Sequence, residues 1–189
     1  DWVLYVDADE RVNEGTETEL RRIMAADARA VYAIKRINIV FGQRMYYGGH
    51  HPDYIRRFFP RDAAHWTGLV HERTASELPV RRMGGSFLHY TYESWEQYLR
   101  KFNLYTTLMA ERRYTEGQHT SFLKILFDPP FAFFRFYVIQ RGFLDGRLGF
   151  IMAMCHGFYT MIKYVKLAVL WQMHGAESTA AGERAKNDD

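Results

Sequence analysis

Asp1-Trp-Val-Leu-Tyr-Val-Asp-Ala-Asp-Glu10 is the stretch on which the reading of this chain turns. Residues 2–6 are an unbroken apolar run of β-forming side chains, which predicts a buried strand in a parallel sheet. The run stops in Asp7-Ala8-Asp9-Glu10, so the acids fall at the carboxyl edge of the strand, where open α/β sheets gather their ligands. Alternate residues of extended backbone point to the same side, so Asp7 and Asp9 could converge on one hard cation. Mg²⁺ or Mn²⁺ suits carboxylate oxygens and leaves positions for a diphosphate. The plainer reading is an acidic turn capping the next helix, because a bare Asp-x-Asp triplet is common. A chain that opens on such a strand, with no initiating Met and no leader segment, is expected to lack the elements that precede it.

Outward from this stretch the first 92 residues mix strands and helices. Thr16 with Glu19 has capping-box spacing and predicts a helix through Leu20, Ile23 and Met24. Strands are expected over residues 31–41 and again over 54–59, the latter closed by Pro60, with a turn at Gly48-Gly49 between them. Ser94 with Gln97 is a second capping box. The helix after it sets Trp95, Tyr98, Leu99, Phe102, Tyr105 and Met109 on one stripe. The organisation expected is therefore an α/β part over 1–92, a mainly helical extension over 93–173, and a disordered polar tail over 174–189.

Composition narrows the function classes. The 189 residues suffice for one domain with a real core. Cys155 stands alone, which excludes an internal disulfide. A net charge of +3 does not argue for nucleic acid, and no nucleic-acid-binding motif accompanies it. The charge is unevenly spread: residues 1–120 carry 17 basic and 16 acidic side chains, whereas 121–173 carry 6 basic, 2 acidic and 13 of the 31 aromatic residues. Residues 148–162 are free of charge but number only 15, short of the ~20 a spanning helix needs. Residues 122–140 are interrupted by Asp128-Pro129-Pro130 and Arg135. A basic, aromatic-rich helical stretch fits attachment in the plane of a membrane surface, and it fits equally a helical subdomain with an aromatic core.

Four further groups could carry chemistry. Glu72, in Val70-His71-Glu72, could act as a general base or be an ordinary surface acid. His89, in Leu88-His-Tyr-Thr-Tyr92, could join carboxylates around a metal or be a satisfied core histidine. Arg56 and Arg57, with Arg61, could hold phosphate, although strand alternation turns only one or two of them toward a crevice. His50-His51 beside the two glycines could belong to an acceptor loop. No HExxH, CxxC, P-loop or GxSxG motif occurs, and Cys155 lies in an apolar helical stretch that suits packing.

In order and spacing these segments resemble the inverting family-2 glycosyltransferases of the GT-A fold, and within them the bacterial lipopolysaccharide-core and cell-surface type. The resemblance runs over about residues 1–170. It rests on the opening Asp1–Val12 stretch, Tyr54-Ile-Arg-Arg-Phe-Phe59, Val70-His-Glu72, Leu88-His-Tyr-Thr-Tyr92, Lys101, Asn103 and Tyr105, and Gly142-Phe-Leu-Asp-Gly146 with Gly149-Phe150. It implies the C-terminal part of a GT-A domain followed by a mainly helical extension, about two thirds of such an enzyme. Asp7-Ala8-Asp9 then stands as the D-x-D signature, Asp9 and His89 as ligands of Mn²⁺ or Mg²⁺, and Asp7, Arg56 and Arg57 as contacts to the donor diphosphate. Glu72 takes the place of the catalytic base, although His71-Glu72-Arg73 departs from the commoner Glu-Asp there. Gly48-Gly49 corresponds to a flexible glycine loop near the donor. The implied partners are a nucleotide-sugar donor, a saccharide or lipid-linked acceptor and a membrane surface; the implied location is cytoplasmic, peripheral on the inner face of the cytoplasmic membrane. The competing class is a non-catalytic membrane-surface or partner-binding module derived from a GT-A fragment.

Overall fold

The computed structural model describes residues 1–63, 65–67 and 73–187, with side chains for all of these except 65–67, 73–75 and 175–187. The chain divides into two units: Asp1–Tyr46 with His50–Glu93, and Tyr47–Gly49 with Ser94–Asp189. The first is mixed α/β. Its elements are β1 (Trp2–Leu4), β2 (Glu10–Val12), α1 (Thr16–Ala25), β3 (Val31–Val40), β4 (Gln43–Met45), β5 (Asp53–Pro60), β6 (His65–Thr67), β7 (Arg73–Ala75) and β8 (Val80–Tyr92). Six strands form one sheet in the order β1-β5-β3-β8-β2, with β4 also on β3; β6 and β7 pair separately.

The branched, apolar sequence of β3 explains its place at the centre, where eight of its ten residues are buried. Only its pairing with β8 is parallel; β1–β5, β5–β3, β3–β4 and β8–β2 are all antiparallel. The opening run therefore departs from expectation. Only Trp2–Leu4 is strand, and it is a half-buried edge antiparallel to β5, with Leu4 opposite Phe58. Its apolar character serves one face: Trp2 stacks on Phe58 with ring centroids 4.8 Å apart, against a core of Leu20, Ile23, Tyr32, Ile34, Met83 and Phe87.

The expected capping box at the start of α1 is replaced by a longer-range device. Gly15 is the residue before the helix and makes no side-chain cap. Thr16 Oγ1 instead accepts from the Ser86 amide at 3.0 Å and donates to its carbonyl at 3.1 Å. The Glu19 carboxylate accepts from the amides of Gly84 and Gly85 at 3.1 and 2.7 Å. The two polar side chains thus satisfy β8 backbone groups and fix α1 on the sheet.

The second unit is helical: α2 (Trp95–Thr115), α3 (Phe122–Phe134), a π-helical turn over Arg135–Ile139, a 3₁₀ turn over Gly142–Asp145, and α4 (Gly146–Asn187). Ser94 caps α2 as its spacing predicts, accepting from the Gln97 amide at 3.2 Å. The buried face of α2 differs from the expected stripe. Tyr98, Thr106 and Ala110 are buried, while Trp95, Leu99 and Tyr105 are exposed. The reason is a polar contact with α4: Lys166 Nζ lies 2.7–3.0 Å from Asn103 O and Oδ1, Thr106 Oγ1 and Thr107 Oγ1. Burial holds this ammonium below the usual lysine pKa.

The Pro-Pro pair does not break α3, which runs unbroken through Pro129 and Pro130. It costs the helix two amide donors, and close packing on α4 accompanies it: a Cβ on Gly157 would lie 3.2 Å from the Pro129 carbonyl oxygen. The backbone of α4 continues through the polar 174–187 segment, whose Ala, Glu, Arg and Lys residues are good helix formers extending a helix already nucleated. Among the described residues no helix is long and apolar enough to cross a membrane. Tyr47–Gly49 is held against Phe136: a Cβ on Gly48 or Gly49 would come within 2.3 or 2.6 Å of that ring. The Asp145 carboxylate accepts from the Tyr47 amide at 2.9 Å. The glycine pair is thus a packing contact for an aromatic ring.

The α1–β8 junction gives a steric test. A Cβ on Gly85 would lie 2.7 Å from Thr16 Oγ1, whereas one on Gly84 meets nothing closer than 3.6 Å. Gly85→Ala should cost about 1–3 kcal/mol in urea unfolding, and Gly84→Ala should stay within about 0.5 kcal/mol of the parent.

Candidate functional site

The site is built by a crossing. β1 and β2 are opposite edges of the sheet, yet only residues 5–9 join them. On a flat sheet four inter-strand steps of roughly 4.8 Å come to about 19 Å, close to the ~20 Å that six residue steps can span. Sheet twist shortens the chord and leaves room for one tight turn. That turn is Asp7-Ala8-Asp9-Glu10, closed by the Glu10 amide donating to the Asp7 carbonyl at 3.0 Å. Asp7 and Asp9 therefore do not lie on an extended segment, and their carboxylates take different partners.

Asp7 pairs with Arg57 of β5. Asp9 Oδ2 lies 3.3 Å from His89 Nε2 of β8. Between them is Glu10, whose carboxylate is fully buried. Glu10 Oε2 accepts from the Asp7 amide at 3.1 Å; Oε1 sits 3.5 Å from Arg57 and 3.9 Å from Arg36, with no hydrogen bond of its own. Arg36 in turn grips Asp53 with two bonds, 3.1 and 2.9 Å. Arg11 ties down the other side of the turn by donating to the Ala8 and Glu10 carbonyls at 3.1 and 2.8 Å. A cleft of about 330 Å³ opens beside it, lined by Ala8, Asp9, Arg11, Tyr90 and Glu93.

His89 is oriented from behind. Asn38 Nδ2 donates to the His50 carbonyl at 2.9 Å, which leaves its Oδ1 facing His89 Nδ1 at 2.7 Å. An amide oxygen only accepts, so Nδ1 donates to Asn38, and Nε2 is the nitrogen that faces the Asp9 carboxylate. Histidines that bind metals are commonly oriented in this way, by an oxygen acceptor on the other ring nitrogen. The 3.3 Å gap between Asp9 and His89 is close to the ~3 Å separating adjacent ligands of an octahedral ion with bonds near 2.1 Å. Asp9 and His89 could therefore serve as two of the six ligands of Mg²⁺ or Mn²⁺. Among the described residues there is no group of three His, Cys, Asp or Glu able to hold a metal, so phosphate oxygens and water would fill the remaining positions, as is usual for Mg²⁺.

Of the residues expected from sequence, Asp7, Asp9, Arg57 and His89 are brought together. Arg56 is opposite Ala33 in the β5–β3 pairing; strand alternation puts Ala33, and Arg56 with it, on the other face from Arg36 and Asn38. Glu72 and His71 lie outside the described residues. Glu10, Arg36 and Asn38 were not expected. Two polar residues at alternate positions in the apolar run Val-Tyr-Ala-Ile-Lys-Arg-Ile-Asn-Ile-Val are a signal that one face of the strand has a polar task.

No protein-family profile matches the chain. It is 27% identical over 186 residues to the lipopolysaccharide core biosynthesis glycosyltransferase LpsC of Rhizobium meliloti, an alignment covering 94% of this chain and 66% of that protein. It is 22% identical over 183 residues to an uncharacterized glycosyltransferase of Rickettsia prowazekii, covering 88% of this chain and 62% of the relative. A corresponding protein of Rickettsia bellii is 23% identical over 186 residues, covering 90% and 62%. The chain thus spans about two thirds of the length of the curated relatives it matches.

Glu10 is the test of how the turn is held. Glu10→Ala removes the acceptor of the Asp7 amide and a carboxylate shared by two arginines, which keep Asp7 and Asp53 as partners, and should cost about 1–3 kcal/mol in urea unfolding. Glu10→Ala combined with Arg57→Met should cost less than the sum of the two single losses, because both act on the same turn.

Proposed function

We propose that this chain is part of a glycosyltransferase, carrying its divalent-metal site and acceptor side, and that it follows the inverting GT-A type. The observation that carries the proposal is the Asp9–His89 pair at 3.3 Å beside the cleft, with His89 set by Asn38. Similarity over about nine tenths of the chain to proteins named glycosyltransferases supports it. The substrates proposed are a nucleotide-sugar donor and a cell-envelope saccharide or lipid-linked acceptor; the second follows the lipopolysaccharide role in the name of the Rhizobium relative.

In the proposed reaction an acceptor hydroxyl attacks the anomeric carbon of the donor from the face opposite the diphosphate. A carbon–oxygen bond forms to the acceptor as the bond to the diphosphate oxygen breaks, so the anomeric centre inverts. Glu72, in this reading, takes the hydroxyl proton. Asp9 and His89 hold Mn²⁺ or Mg²⁺, which when bound offsets the charge gathering on the departing nucleoside diphosphate. Asp7 and Arg57 are already paired, so their task is to keep the turn in place, and Arg11 is the cation that lines the cleft with Asp9.

The experiment is titration of Mn²⁺ into the chain in the presence of UDP, GDP, ADP or CDP, read by the electron paramagnetic resonance of free Mn²⁺ against the same nucleotide without protein. Binding should appear with one nucleotide, and Asp9→Asn and His89→Gln should each weaken it about 10–100-fold. Wild-type affinity in both variants would refute the site. Asn38→Ala should weaken Mn²⁺ binding by a smaller factor while leaving both ligands in the chain.

A further inference from the structure

The helix α3 is the most apolar of the chain and yet has no buried residue. Leu123, Phe127, Phe131 and Phe134 are exposed, Phe127 and Phe131 by 62% and 61%. At 100° per residue these four fall within about 80° of one another, so they form one stripe. The neighbouring α4 presents a matching line, Ile151, Met154 and Phe158, all exposed. Where the two helices touch, an open apolar cleft of about 290 Å³ lies between Pro129-Pro130 and Met154, Gly157 and Phe158. A continuous exposed apolar surface of this kind marks an interaction site.

Charge identifies the occupant. Lys124 and Arg135 are exposed and eleven residues apart, three helical turns, so both lie on the same flank of the α3 stripe. Arg147 is exposed and continues the α4 line at i−4 from Ile151. The only acids within 121–173 are Asp128 and Asp145, and both are engaged internally. Asp145 is buried and accepts from the Tyr47 amide, and Asp128 is hydrogen-bonded to the Tyr164 hydroxyl. The rim of the apolar face is therefore cationic. A second copy docked face to face would set like charges against each other, whereas an anionic lipid surface answers both the apolar centre and the basic rim.

We propose that this α3–α4 face docks on an anionic bilayer surface, with the α3 aromatic stripe lying in the headgroup–acyl boundary and the interhelical cleft receiving acyl-chain methylenes. No helix needs to span the bilayer for this. The proposal does not rest on sugar transfer, and its test contains no donor or acceptor.

The test is flotation of the chain with phosphatidylcholine vesicles, with and without phosphatidylglycerol, at low and high salt. The chain should float with phosphatidylglycerol vesicles at low salt and less so at high salt. Phe127→Ser with Phe131→Ser should lower partitioning by roughly tenfold or more, with circular dichroism and the melting curve unchanged because both rings are exposed. Lys124→Gln with Arg135→Gln should cost roughly 25-fold on anionic vesicles, about fivefold per charge, and little on neutral ones. Failure of the wild-type chain to float at low salt overturns the proposal, as does equal flotation of the double phenylalanine variant. Concentration-dependent self-association that this variant abolishes, without flotation of the parent, assigns the face to a second copy and also overturns it.

Discussion

Residues 5–9 have to carry the chain from one edge of a sheet to the other, past β5, β3 and β8, and the geometry of the site follows from that short crossing. A connection with so little slack can hold only a tight turn, and the turn falls at Asp7-Ala8-Asp9-Glu10. The acids of the turn then reach three strands between them: Asp7 meets β5 through Arg57, Glu10 reaches β5 and β3 through Arg57 and Arg36, and Asp9 meets β8 through His89. The buried Glu10 carboxylate is the pivot. It takes the Asp7 amide with one oxygen and faces the two guanidinium groups with the other, so the turn and the arginines are held by the same group. A buried charge of this kind is weak evidence for net stability, but it strongly penalises any arrangement that separates it from its partners.

The second unit uses the same economy with weaker parts. Lys166 reaches four oxygens of α2 with one ammonium, and Phe136 fills the space left by the missing side chains of Gly48 and Gly49. These contacts use up the polar groups of the helices on the inside. What remains outward on α3 is apolar and basic, which is why an ordinary content of charged residues coexists with a largely apolar exposed helix.

The mixed α/β character of residues 1–92, the positions of β3 and β5 and the helical nature of the remainder are legible in the sequence, because hydrophobic period and turn residues act locally. The Ser94 cap is legible for the same reason. What is not legible depends on distant partners. The Thr16–Glu19 spacing is that of a capping box, but both side chains found better-placed backbone groups on β8, some 65–70 positions away. The apolar run at residues 2–6 carries no mark of whether its neighbour is parallel or antiparallel, so its edge position could not be read. On α2, helical spacing shows which residues share a stripe but not that small residues will be the covered ones: Thr106 and Ala110 are buried, and Thr106 takes the Lys166 ammonium of α4. At the site, Asp7, Asp9 and His89 could be named from residue type and order. Glu10 could not, since its role arises only when β1 and β2 become opposite edges.

That last point bears on the Asp-x-Asp triplet itself. Two carboxylates two residues apart invite the inference that both bind one cation, and an extended backbone would permit it. The turn removes that geometry. Asp7 is neutralised by Arg57, and a cation drawn to it would have to displace a guanidinium that also serves Glu10. Asp9 lines the cleft together with Arg11 and faces an imidazole that Asn38 contacts from its other side. The two acids are therefore chemically unequal. Asp7 holds the fold at the crossing through Arg57, and Asp9 lies at the surface of the cleft, where the proposed cation would be met. Under the proposed function, a pair of protein ligands among the described residues would leave an octahedral ion most of its positions for substrate oxygens and water.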